Sequence, residues 1–132
     1  FISSTGALSA GRKNSNNALF PYYTDDKISE SHDVTGSKSI FHVNKNNKEY
    51  LWEPFTKTSD FIYQNERNLY KNLRGNKVIF EEINNDLGLK FSYQWTTCDK
   101  YGFIKTSSIK NLTNEDILIS LVDGFQNILP WG

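Results

Sequence analysis

The chain has 132 residues, 14% of them aromatic, and its basic and acidic side chains balance at 15 each. A single domain of this length buries about two-thirds of its unfolded surface, and zero formal charge lacks the basic field of a dedicated nucleic-acid binder. One cysteine, Cys98, excludes an intrachain disulfide and a multi-cysteine metal site, and no apolar run approaches the roughly 18 residues of a helical membrane span.

Residues 1–38 are rich in Ser, Asn and Gly, a composition that predicts loops and short edge strands. The opening Phe1-Ile2-Ser3-Ser4-Thr5-Gly6 lacks the basic and apolar regions of a secretory signal. The chain contains no methionine, so a processed or excised segment is expected. The close on Pro130-Trp131-Gly132, directly after an apolar run, suggests a cut within a larger protein. Gly6 and Gly11-Arg12-Lys13 make no phosphate loop, because no Lys-Ser/Thr pair and no helix follow.

Within this segment Leu19-Phe20-Pro21-Tyr22-Tyr23 leads into Asp25-Asp26. Ring faces pack the C–H side of a sugar and carboxylates accept its hydroxyl protons. Tyr22, Tyr23, Asp25 and Asp26 are therefore candidate sugar-contacting residues, although a Tyr-anchored loop capped by Asp has the same composition. His32, in the polar run Ser31-His32-Asp33, is expected to be solvated.

Residues 39–44 and 48–54 read as a hairpin joined by Lys45-Asn46-Asn47, and Pro54 ends its second strand. His42 alternates with Phe41 and Val43, so it lies on a strand face. Its spacing from His32 fits no metal motif, and neither a metal nor a cofactor is predicted. Residues 59–68 are the best helical candidate, but their Phe61-Ile62-Tyr63 core reads better as strand.

Residues 66–124 read as a five-strand antiparallel meander. Its turns are Arg74-Gly75-Asn76-Lys77, Asn84-Asn85-Asp86-Leu87-Gly88, Asp99-Lys100-Tyr101-Gly102 and Asn111-Leu112-Thr113-Asn114-Glu115. Leu89, Phe91, Tyr93 and Trp95 alternate with polar residues, which predicts one buried face. Val78-Ile79-Phe80 and residues 117–122 are apolar on both faces and are expected to lie centrally, covered on two sides. Two-sided burial needs a second layer, so the predicted fold is all-β, an antiparallel β-sandwich or part of a larger one.

Several residues in this half carry chemistry in principle. Glu81 and Glu82 face opposite ways and cannot form a catalytic pair; whichever points inward needs a partner. Cys98 reads as a half-buried thiol at a strand end. The Asn111-Leu112-Thr113 match to a glycosylation sequon falls in a turn and is read as chance. Trp52 and Trp95 are expected in the core, and Trp131 as cover for a neighbouring domain.

In residues 103–117, Phe103, Ile104, Lys105, Ile109 and Lys110 alternate basic and apolar character. An Asn-rich turn then leads into a strand rich in Ile, Leu and Val. This pattern resembles the N-terminal β-supersandwich domain of bacterial carbohydrate-active enzymes, the group of cellobiose phosphorylases and related glycoside phosphorylases and hydrolases. That domain is similar in topology to galactose mutarotase. The resemblance spans residues 66–130.

The resemblance implies a non-catalytic domain of a carbohydrate-processing enzyme, whose catalytic acid lies on a separate downstream barrel. The implied partners are that downstream catalytic domain of the same parent chain, an oligosaccharide and a second copy in a homodimer, with no nucleic acid and no membrane. No family catalytic motif is present, and the mutarotase roles of two histidines and a glutamate do not map onto His32, His42 or Glu81. The alternatives are an independent lectin-like module and a mutarotase-like epimerase.

Overall fold

The computed structural model describes residues 1–10, 18–21 and 27–129. Tyr22, Tyr23, Asp25, Asp26 and Trp131 lie outside the described residues. The fold is an all-β antiparallel sandwich. Among the described residues its strands are β1 (Gly36–Lys45), β2 (Lys48–Trp52), β3 (Asn65–Lys71), β4 (Lys77–Asn84), β5 (Leu89–Cys98), β6 (Gly102–Asn111) and β7 (Leu118–Gln126), with one short α-helix, α1 (Lys57–Ile62), and a 3₁₀ turn at Ile28–Ser31. They form a three-stranded sheet in the order β2-β1-β7 and a four-stranded sheet in the order β3-β4-β5-β6. The chain divides into two compact units, Phe1–Ser39 with Val122–Gly132, and Ile40–Leu121.

In the Ile40–Leu121 unit the expected hairpin forms. β1 and β2 pair from Phe41↔Trp52 to Lys45↔Lys48. Asn46 and Asn47 turn the chain at φ 53° and 59°, a conformation Asn tolerates because its short side chain relieves the left-handed strain. Phe41, Val43 and Trp52 point inward from this hairpin and are fully buried.

The predicted alternation in β5 holds residue by residue, with Leu89, Phe91, Tyr93 and Trp95 all buried. The two sheets meet here, with Phe41 against Phe91 at 4.9 Å between ring centroids; within its own hairpin Phe41 also packs on Trp52, at 5.2 Å. Phe80 stacks on Tyr93 at 4.9 Å. Each such ring contributes about 1.5–3 kcal/mol by leaving water.

Three expectations are corrected. Residues 57–62 form helix, not strand. Thr56 caps α1 by accepting a hydrogen bond from the Ser59 amide at 3.2 Å, and a capped turn outweighs the β propensity of Phe61-Ile62 where no sheet face is available to bury them. The meander has four strands, not five. β6 is an edge strand, and the chain passes after Asn111 into β7, which pairs with β1 in the other sheet.

The third correction concerns burial. Val78 and Ile79 are half-buried and only Phe80 is fully inside. On β7, Leu118 is 72% exposed, Leu121 51% and Val122 71%. Residues 117–122 are thus not shielded on two sides. Among the described residues β7 has one strand neighbour, β1, where a central strand has two.

The other unit is loop-rich, as its composition predicts. An isolated bridge joins Ile2 to Leu8, and the Thr35 hydroxyl donates to the Leu8 carbonyl at 2.7 Å. Phe20 is buried and meets Phe125 edge-to-face at 6.4 Å. The Ser39 hydroxyl donates to Asp123 Oδ1 at 2.6 Å.

Candidate functional site

β4 sends its two adjacent glutamates to opposite faces. Glu82 points inward and is fully buried. Its Oε1 accepts from the Trp52 indole at 3.0 Å, and its Oε2 accepts from the Phe55 amide and from Arg67 Nε, both at 2.7 Å. A charge held away from water needs such partners. Phe55 sits at φ 65°, a strained conformation for a bulky residue. That backbone turn aims the Phe55 amide at Glu82, while the Phe55 ring packs against Phe80, Phe91 and Tyr93.

Arg67 carries the network outward. It lies on β3 opposite Glu82 and forks onto both carboxylate oxygens of Asp60, at 3.0 and 2.7 Å. A further hydrogen bond runs from Arg67 Nη2 to the Thr56 carbonyl at 3.1 Å. Asn65 Nδ2 donates to the Ser59 hydroxyl at 3.0 Å. α1 is therefore fastened to β3 by its cap residue, by the buried Ser59 and by Asp60. Six residues are too few to hold a helix by propensity alone.

Glu81 faces the other side, where it pairs with Lys90 at 3.0 Å and accepts from Asn68 and the Tyr70 hydroxyl. The hydrogen bond from Lys90, ahead of those from Asn68 and Tyr70, holds its carboxyl below the usual glutamate value. The inward glutamate predicted from sequence is thus Glu82. Three donors occupy it and water does not reach it, so its chemistry is to organise its surroundings.

Fastening α1 shapes an open groove of about 540 Å³ lined by Tyr50, Asp60, Phe61, Ile62, Tyr63, Gln64 and Asp86. The Tyr63 hydroxyl donates to the Leu51 carbonyl at 2.8 Å. Asp86 Oδ2 accepts from the Gln64 amide at 2.7 Å. Burial, then the neighbouring Tyr50 and Asp86, push the Tyr63 phenol up, so it stays neutral and donating. Sequence reading missed this groove. The available signal was Thr56, an N-cap residue type, with Asp60 in the first turn after it.

The other singled-out residues are placed as follows. His32 is not solvated: its side chain is 14% exposed, its Nε2 lies 3.3 Å from Asp33, and its Nδ1 is buried with no hydrogen-bond partner among the described residues. His42 lies on the exposed face of β1, 3.7 Å from Glu49. The two histidines belong to different units, and each faces its own carboxylate. Cys98 is half-buried, and its Sγ accepts from the Tyr101 amide at 3.3 Å. Asn111 Nδ2 donates to the Glu115 carbonyl at 2.7 Å, within the loop that leaves β6. Among the described residues no cluster of three metal-ligating side chains occurs. No protein-family model and no curated protein matches the chain.

Proposed function

We propose that this chain is a non-catalytic β-sandwich domain that serves as a packing scaffold within a larger carbohydrate-processing protein. The observation that carries the reading is the exposure of β7. Among the described residues it is the outer strand of its sheet, and its sequence Leu-Ile-Ser-Leu-Val-Asp-Gly-Phe-Gln has no lysine and no proline. Edge strands that stay in water are protected by such residues or by bulges. A strand that instead exposes Leu118, Leu121, Val122 and Phe125 is suited to being covered by more polypeptide.

The carbohydrate context comes from the likeness of residues 66–130 to the supersandwich domain of glycoside phosphorylases and hydrolases. That likeness also names the partner, a downstream domain of the same parent chain. The test compares the isolated chain with a version extended by the residues that follow in its parent gene. The isolated chain should self-associate and bind a hydrophobic dye, Leu118→Ser with Val122→Ser should suppress both, and the extension should do the same without mutation. A monomeric, dye-silent isolated chain would defeat the proposal.

A further inference from the structure

We infer that the groove beside α1 is a carbohydrate site, and that it takes the interior of a neutral oligosaccharide of hexopyranose units. The inference does not depend on what covers β7.

The first argument is Phe61. It is 90% exposed, yet the helix that carries it is fastened on both sides. Thr56 caps the N-terminal end, the Tyr63 amide returns to the Ser59 carbonyl at 2.9 Å, and Asp60 is gripped by Arg67. An exposed ring on a fixed backbone loses little further freedom when a ligand arrives. Tyr63 is tethered through its hydroxyl to β2, and Tyr50 belongs to β2 itself. Three aromatic side chains thus border one groove from two rigid elements.

The second argument is the polar complement. Ring faces pack the apolar C–H side of a pyranose, while carboxylates and amides bond its equatorial hydroxyls. Asp86 is held by the Gln64 backbone through one oxygen, and a carboxylate oxygen pair offers about four acceptor sites. Gln64 lines the same groove, and a glutamine amide carries both donor and acceptor. The groove volume, about 540 Å³, falls in the range of about 300–1,000 Å³ that small-ligand sites occupy. It is open to solvent, which suits a stretch of chain better than a single enclosed monosaccharide.

Charge selects within the sugars. Asp60 and Asp86 are the ionisable carboxylates of the lining. The adjacent cation, Arg67, is already committed to Glu82 and Asp60. A uronate chain would meet repulsion from Asp86, and the described lining brings no cation to answer it. A neutral chain meets none.

The experiment is an amide-resolved NMR titration of the chain with cellohexaose, laminarihexaose and hexagalacturonate. A neutral hexaose should shift the Gln64 and Asp86 amides at millimolar concentration. Phe61→Ala should weaken that binding about tenfold, with its thermal midpoint unchanged because the ring is exposed. Leu118→Ser should titrate like the parent chain, which separates this site from the role of β7. The inference fails if no neutral hexaose shifts the groove, or if hexagalacturonate binds more tightly. It also fails if affinity survives both Phe61→Ala and Tyr50→Ala, or if Phe61→Ala alters only self-association.

Discussion

Replacing Glu82 by Gln keeps the shape of the side chain and removes its charge. The carboxylate accepts three hydrogen bonds, from Trp52 through Oε1 and from Phe55 and Arg67 through Oε2. A glutamine has one acceptor oxygen. If that oxygen serves Phe55 and Arg67, its NH₂ faces the Trp52 indole, donor against donor; if it serves Trp52, two donors are stranded. Hydrogen bonds to a charged group contribute about 1.5–3 kcal/mol each, and a stranded buried donor costs about 1–3 kcal/mol. The Arg67 side chain is 38% exposed, so water restores part of its solvation and discounts the loss. The net expectation is about 2–3 kcal/mol out of a total stability of about 5–15 kcal/mol. Equilibrium urea unfolding, followed by tryptophan fluorescence, measures it. Glu81→Gln, on the opposite face of the same strand, is the control and should cost less than about 1 kcal/mol. A Glu82→Gln loss no larger than that of Glu81→Gln would refute the assignment of Glu82 as the organising group.

Two further outcomes follow from local geometry. The carboxyl of Glu81 is held down chiefly by the Lys90 hydrogen bond. A depressed folded pKa means that the stabilisation is complete above the ordinary value of 4.5 and is lost as pH falls through the lower folded value. The urea midpoint should drop on acidification, and Lys90→Met should flatten part of that drop; an unchanged slope would contradict the pairing. Gly88 sits at φ 68°, and a Cβ there would run into the Thr113 methyl. Gly88→Ala should lower the thermal midpoint, and Thr113→Ser, which deletes that methyl, should recover part of the loss. The residue should be about 1 kcal/mol of left-handed strain, and complete recovery would show that the strain is absent.

What could be read from the sequence was local. β5 was legible because Leu89, Phe91, Tyr93 and Trp95 alternate without interruption and all four are buried. The β1–β2 hairpin was legible because Asn46 and Asn47 accept positive φ. The split of Glu81 and Glu82 to opposite faces followed from strand geometry alone. The partners of Glu82 did not, since Trp52, Phe55 and Arg67 lie 30, 27 and 15 residues away. β7 misled for a related reason: an apolar run reads the same whether it sits in the middle of a sheet or at an edge. α1 was hidden by the β propensity of Phe61-Ile62, because a one-residue cap leaves little mark on composition. The groove depends on all of these placements together and could not precede them.

Amide hydrogen exchange across residues 118–122, the exposed stretch of β7, tests the central claim most directly. It is measured on the isolated chain and on the chain extended by the residues that follow in its parent gene. The proposed scaffold role predicts fast exchange at the outward amides of residues 118–122 in isolation and strong protection in the longer protein. Equal exchange in the two would mean that nothing packs on β7, and the scaffold role would fall.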